Sequence, residues 1–324
     1  VADALMQPAK TYLQIVGGFC ILNALIPICS SYLRAFGFSK EPLYASIIGN
    51  VINFCLNAFF LFVLHKGVAG VATATVISRI INLVIVVLLG AVLVKAKQHP
   101  ERESNRAVMG QIIRIGLPSA CETAIYNVSM TLVIRFLNQM DAQGLNVTAR
   151  SYTMQITNFS YCVGAALAQA NAIMTGWHIG AKEYDACDRG TKKAAVIGVI
   201  VAVILETVFT LCSGWIMQLF SKDPQMVSLV GKLLAIDIVL EIGRVTNLVY
   251  GQALKTSGDA VFPVVMGACF MILCSVGGTY LFGIRLGLLA VGAYIGMTGD
   301  ECVRAVGMYL RWKSGKWKNK GLVD

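Results

Sequence analysis

Charge is scarce in this sequence. Only 14% of its 324 residues are Asp, Glu, Lys or Arg, against roughly a quarter in an average soluble domain. That scarcity excludes an ordinary water-soluble fold. Catalytic signatures are missing too: there is no P-loop, no ATP-binding domain, no HExxH and no nucleophile with a paired base. Primary active transport within this chain and hydrolytic chemistry both lose support. The ten cysteines are scattered without a CxxC pair, which favours reduced thiols in helices over a metal site or disulfide framework. No signal peptide precedes the first apolar run, and the chain opens with Val1 rather than Met, so we expect a piece of a longer protein.

What is present is hydrophobic. Apolar residues make up 56% of the chain, and they fall in repeated runs of about 20 residues or more. Lipid leaves only helices or closed barrels as spanning structures, and these runs are too long and continuous for barrel strands. The expected fold is an all-α polytopic membrane protein with nine spans: 11–33, 42–64, 68–94, 110–137, 148–176, 193–220, 226–253, 260–283 and 287–311. Residues 95–109 form a charged linker between bundles.

The loops sort by charge. One alternating set carries 17 Lys and Arg, among them Arg34, Lys95, Arg189, Lys192, Lys255 and the C-terminal Arg311 to Lys320. The other carries five, including Lys66, Arg150 and Arg285. The positive-inside rule then makes the first set, and the C-terminus, cytoplasmic. The net charge of +10 reflects this topology rather than a nucleic-acid partner.

The chain also repeats itself. Leu33-Arg34-Ala35-Phe36-Gly37 with Pro42 aligns with Leu254-Lys255-Thr256-Ser257-Gly258 and Pro263 at an offset of 221. Gly67-Val68-Ala69-Gly70-Val71 aligns with Gly287-Leu288-Leu289-Ala290-Val291 at an offset of 220. An even number of intervening spans makes this a parallel repeat, an arrangement used by transporters. The expectation is a twelve-span protein of two six-helix lobes, of which this chain is the last nine spans. Residues 1–94 would then be the second half of the N-terminal lobe, 95–109 a cytoplasmic linker, 110–312 the C-terminal lobe and 313–324 a cytoplasmic tail.

Polar groups lie where lipid should be. The run Val227–Tyr250 contains Asp237, Glu241 and Arg244, spaced to crowd one helical face. Such groups cost several kcal/mol in hydrocarbon unless they line a cavity or pair. We read Asp237 and Glu241 as functional and Arg244 as their counter-charge. Glu122 joins them because Pro118, one turn earlier, weakens the local backbone ladder. Glu206 also falls near a span centre. Arg79, Asp300, Glu301 and Arg304 are expected to be structural pairs. Asn53, Asn57, Tyr126, Asn127, Gln155 and Asn158 are candidates for cavity lining, with interhelical hydrogen bonding and packing as the plainer alternatives.

Together these residues resemble a known family. Tyr32 to Gly37 and Pro42, then Asn50-Val51-Ile52-Asn53 with Asn57, then Gly67 to Thr75 are similar to the fourth to sixth helices of the multidrug and toxic compound extrusion (MATE) family. Gly116-Leu117-Pro118 resembles the opening of its seventh helix, and Gly176 with Gly180-Ala181 the end of its eighth. Gly251 to Pro263, followed by Arg311-Trp312 through Trp317, resembles the last three helices of bacterial members. The resemblance implies two six-helix lobes around a cleft, with the family's first three helices absent here. It also implies efflux of small cationic or amphiphilic substrates in exchange for H⁺ or Na⁺, in a bacterial inner membrane. Glu122 matches an acid of the seventh helix, and Asp237 or Glu241 one of the tenth, so Na⁺ would sit at Glu122 and Asp237. No other cofactor and no obligatory protein partner is expected. A flippase of lipid-linked or amphiphilic substrates, or a non-transporting membrane fragment, remains the alternative.

Overall fold

A computed structural model describes residues 3–95, 105–141 and 144–320. The chain divides into two compact units, Val1–Arg102 and Glu103–Asp324. Among the described residues every regular element is helical. Most of the linker expected over 95–109 lies outside the described residues, apart from its last residues, which already begin a helix.

The first unit holds α1 (Asp3–Gly18), α2 (Ile21–Ala35), α3 (Lys40–Ala58, prolonged by a π-helical turn Phe59–Val63) and α4 (Gly67–Lys95). The single span expected over 11–33 is instead broken, with a 42° bend between α1 and α2. The cause is local: Gly17 and Gly18 weaken the ladder, and the Cys20 amide turns back to the Gly17 carbonyl at 3.1 Å. Asn57 Nδ2 donates to Asn53 Oδ1 at 3.0 Å, and Asn53 Nδ2 donates to Ser78 Oγ at 3.1 Å. The asparagine stripe thus ties α3 to α4.

The second unit holds α5 (Asn105–Met140), α6 (Leu145–Gly180), α7 (Tyr184–Leu211), the short α8 (Ser213–Met217), α9 (Pro224–Thr256), α10 (Val261–Phe270) and α11 (Leu289–Lys313). Helix α10 runs on through π-helical stretches Met271–Val276 and Thr279–Arg285. Lys40–Val63, Gly67–Val94, Tyr184–Leu211 and Val261–Arg285 are each long and apolar enough to cross a membrane. Helix α7 starts nine residues before the expected 193. Asp185 suits the positive end of the helix dipole, and Asp188 pairs with Lys192 at 2.7 Å on its exposed side. Arg189, Lys192 and Lys193 are therefore helical rather than loop residues. Arg150, counted above among the loop cations, lies in the second turn of α6 and is buried.

Helix α9 is the axis of this unit, packed on α6, α7 and α11. Gly243 permits that approach: a Cβ there would lie 2.9 Å from the Cys302 amide nitrogen and the Glu301 carbonyl carbon of α11. Two apolar clusters fill the interior. One gathers Val230, Leu233, Leu234 and Leu240 with Ala290 and Ala293. The other gathers Val245, Val249 and Leu254 with Met308, Trp312 and Trp317. Glu241 and Arg244 of α9, and Asp300, Glu301 and Arg304 of α11, fall between these two sets along their helices.

Both units end their repeat helices alike. Phe38 N donates to Leu33 O, and Gly37 N to Arg34 O, with Gly37 at φ +88°. Asp259 N donates to Leu254 O, and Gly258 N to Lys255 O, with Gly258 at φ +87°. These are the two bonds of a glycine-capped helix end, and they keep the offset of 221. The second junction differs from the expected register. Lys66 N donates to Phe60 O and Leu288 N to Phe282 O, while His65 and Gly67 share positive φ with Gly287 and Leu289. The offset there is 222, so Gly70 corresponds to Gly292 rather than Ala290. Each π turn accommodates an extra residue, and the second copy has two π stretches where the first has one. That accounts for the added residue.

Candidate functional site

Glu206 of α7 and Asp237 and Glu241 of α9 meet inside the second unit. One carboxylate oxygen from each lies within 4.8 Å of the others, and all three residues are buried, at 0%, 2% and 0% exposure. The i, i+4 spacing stacks the two α9 acids on one face, and the α7–α9 contact brings Glu206 to them. Asp237 Oδ2 and Glu241 Oε2 have no hydrogen-bond partner, and Glu206 has the Ser160 hydroxyl beside it.

Beside them runs a chain of ion pairs. Arg244 bonds to Glu241 through Nη1, lies 3.7 Å from Glu301 Oε1, and has its guanidinium carbon 6.0 Å from the Tyr161 ring centre. Arg304 reaches Asp300 Oδ1 at 2.8 Å and Glu301 Oε1 at 3.0 Å. Ser275 Oγ donates to Asp300 Oδ2 and Asn247 Nδ2 to Glu301 Oε2, both at 3.0 Å. The α11 charges thus form the pairs expected of them, and they also face open space.

Two cavities border this chain. One, of about 230 Å³, is lined by Asp237, Arg150, Asn158, Tyr294, Asp300 and Arg244 among others. The second, of about 390 Å³, is lined by Glu122, Asn127, Asn247, Lys255, Arg304 and Met308 among others. Tyr126, Tyr161, Arg244 and Glu301 border both. Glu122 stands apart from the three-acid cluster, its Oε2 2.6 Å from Lys255 Nζ. Gly267 of α10 gives Glu122 its room, since a Cβ there would lie 3.2 Å from Glu122 Oε1.

Of the residues singled out in the sequence, the structure brings Asp237, Glu241, Arg244 and Glu206 together. It places Tyr126, Asn127 and Asn158 on the cavities, while Gln155 is exposed and Asn53 and Asn57 are bonded within the first unit. Sequence reasoning missed the cavity-lining roles of Arg150 and Tyr294. Arg150 lay inside a predicted span, a signal that it was not a loop cation.

Among the described residues, helices only, several of them long and apolar enough to cross a membrane, define a polytopic membrane protein with ionisable groups buried beside its cavities. The MatE family model matches residues 2–59 and 118–281. The sequence is 34% identical over 329 residues to the uncharacterized transporter YisQ of Bacillus subtilis, covering 100% of this chain and 72% of that protein. It is 22% identical over 326 residues to the probable multidrug resistance protein NorM of Thermotoga maritima, covering 97% of this chain and 68% of that one. The eukaryotic MATE transporter AtDTX14 has the same fold, with a TM-score of 0.85 at 18% identity over 97% of this chain and 70% of its own. The chain belongs to the MatE family.

Proposed function

We propose that the protein is a secondary antiporter that exports small organic cations and amphiphilic drugs in exchange for H⁺ or Na⁺ by alternating access. It would sit in the bacterial plasma membrane with its C-terminus in the cytoplasm. The reading is carried by Asp237, a buried carboxylate with one unpartnered oxygen on the wall of a cavity that also presents Tyr126 and Tyr161. An anion so placed is costly unless a cation or proton accompanies it. A coupling ion and a cationic substrate can each supply that charge, and aromatic faces favour the organic cation. If only one occupies the site at a time, exchange is coupled, and each ligand shifts the conformational balance by its differential affinity.

A flippase of anionic lipid-linked substrates would call for free cations. Of the cations on the two cavities, Arg244, Lys255 and Arg304 each pair with carboxylates, and Arg150 alone has no ion pair among the described residues, one cation where an anionic headgroup would call for several. The test is cationic-dye transport by purified protein in liposomes under an imposed Na⁺ or H⁺ gradient. Gradient-driven dye movement that Asp237→Asn abolishes, with insertion intact, supports antiport. Unchanged exchange in that variant, or transport of labelled lipid instead of dye, overturns it.

A further inference from the structure

We propose that Arg150 is an anion subsite: it holds the carboxylate of a ligand whose cationic group faces Asp237 across the 230 Å³ cavity. The assignment of that ligand as the exported substrate rests on the antiport reading; the anion subsite itself does not.

Burial and bonding come first. Arg150 stands in the second turn of α6, only 7% exposed, on the wall of that cavity. Its Nε is buried without a partner, and its Nη2 reaches only the Met130 thioether, at 3.6 Å. A thioether is a weak acceptor, whereas a guanidinium presents five donors in a planar fork. A buried charge in this state is strongly destabilising unless a counter-charge reaches it. The fork matches the two oxygens of a carboxylate.

Charge on the cavity wall is the second observation. Five charged side chains line it: Arg150, Asp237, Arg244, Asp300 and Glu301. Arg244 pairs with Glu241, and Asp300 and Glu301 pair with Arg304. Arg150 and Asp237 remain, opposite in sign, and neither forms an ion pair among the described residues, with each other or with a third group. A simple cation would satisfy Asp237 and leave the guanidinium bare. A simple anion would do the reverse. A ligand carrying one group of each sign satisfies both and enters without adding net charge. One guanidinium beside an acid also favours a monoanion over a doubly charged phosphate.

Position agrees with this pairing. Tyr294, buried on α11, lies within electrostatic reach of both Arg150 and Asp237, so the two charges flank one ring. Met154, Asn158 and Tyr161 follow Arg150 along one face of α6, all on the cavity wall, so the guanidinium closes one end of a polar and aromatic stripe. A volume of 230 Å³ is below the roughly 300–1,000 Å³ of drug-sized pockets. The cavity therefore accepts the charged end of a larger ligand. The remainder would lie in the 390 Å³ cavity, which shares Tyr126, Tyr161, Arg244 and Glu301 with it.

The experiment uses a cationic rhodamine dye bearing one carboxyl group, as the free carboxylate and as its methyl ester. The two forms differ in a single negative charge. Binding to the purified protein in detergent is followed by fluorescence polarisation, which needs no transport. Wild type is expected to bind both forms, the carboxylate more tightly. Arg150→Met should lower the ratio of carboxylate to ester affinity about tenfold or more, and Arg150→Lys, which keeps the charge without the fork, should lower it less. A merely structural arginine would weaken both forms together and leave the ratio alone. Asp237→Asn should weaken both forms, since both carry the cation. The proposal is overturned if the ratio is unchanged in Arg150→Met, if wild type binds the ester but not the carboxylate, or if Asp237→Asn affects neither. Binding of neither form overturns the antiport reading as well. An Arg150-dependent preference for the carboxylate without gradient-driven dye movement would retain the subsite and reject antiport.

Discussion

Lys255 Nζ lies 2.6 Å from Glu122 Oε2, joining the last turn of α9 to α5 across the wall of the larger cavity. Each side chain is 18% exposed, so the pair is neither sealed in the core nor freely solvated. An ammonium group on a flexible stem thus occupies the carboxylate that a cationic substrate in this cavity would seek. On the antiport reading, the lysine competes with the substrate.

Removing that competitor has a definite sign. Lys255→Met keeps an apolar stem of similar length and leaves Glu122 without its ammonium partner. Binding of a monocationic dye, followed by fluorescence polarisation, is expected to tighten on the order of tenfold, about 1.4 kcal/mol. Lys255→Arg should leave it near the wild-type value, and the double variant Glu122→Gln/Lys255→Met should lose the gain. A weaker dye complex in Lys255→Met would show that the lysine binds substrate rather than competing with it.

The repeat offers a second prediction, at Leu289. This residue has φ +53° and occupies the place that Gly67, at φ +52°, holds in the first copy. A branched side chain pays for that conformation where glycine does not, by about 1–2 kcal/mol. Leu289 is 40% exposed, so little packing is lost with it. Leu289→Gly is expected to hold or raise the thermal midpoint of the purified protein, and Gly67→Leu to lower it. A marked fall in Leu289→Gly would mean that the side chain packs against something outside this chain.

That comparison also marks how far sequence could carry the fold and the site. The apolar runs reveal helices because lipid-facing and core-facing residues are both hydrophobic, and the charges within Val227–Tyr250 stand out against that background. Register at the second junction was not legible: Gly67 and Gly287 invite a match, but π turns add a residue without altering composition. Helix α7 was misplaced for a related reason, since its first turns are polar on one face and read as loop. Glu206 was visible as a buried acid, but its meeting with Asp237 and Glu241 depends on the α7–α9 contact, which no local pattern encodes. Glu122 was drawn to Asp237 by resemblance, whereas the chain places a lysine beside it.

The last prediction concerns Asp259, in the turn between α9 and α10. Its buried carboxylate receives Arg311 Nε at Oδ2 and Lys320 Nζ at Oδ1, each at 2.6 Å. It thereby fastens the segment after α11, where Trp317 stacks on Trp312 with ring centres 4.2 Å apart. Burial pushes the Asp259 carboxyl up, but the hydrogen bonds and charges of Arg311 and Lys320 outweigh it, so the group titrates below its ordinary 3.8. A carboxylate depressed in the folded state contributes stability above its unfolded value, and that contribution is lost as pH falls through the folded one. Asp259→Asn is therefore expected to destabilise the protein at neutral pH by about 1–3 kcal/mol. The gap between wild type and variant should hold from about pH 8 down to about pH 4 and narrow only below that, as the pH falls from the unfolded value toward the depressed folded one. Tryptophan fluorescence melts across that range provide the measurement, because Trp317, in the segment that would loosen, stacks on Trp312 of α11. A gap that persists unchanged into acid would show that the side chain acts through shape rather than charge.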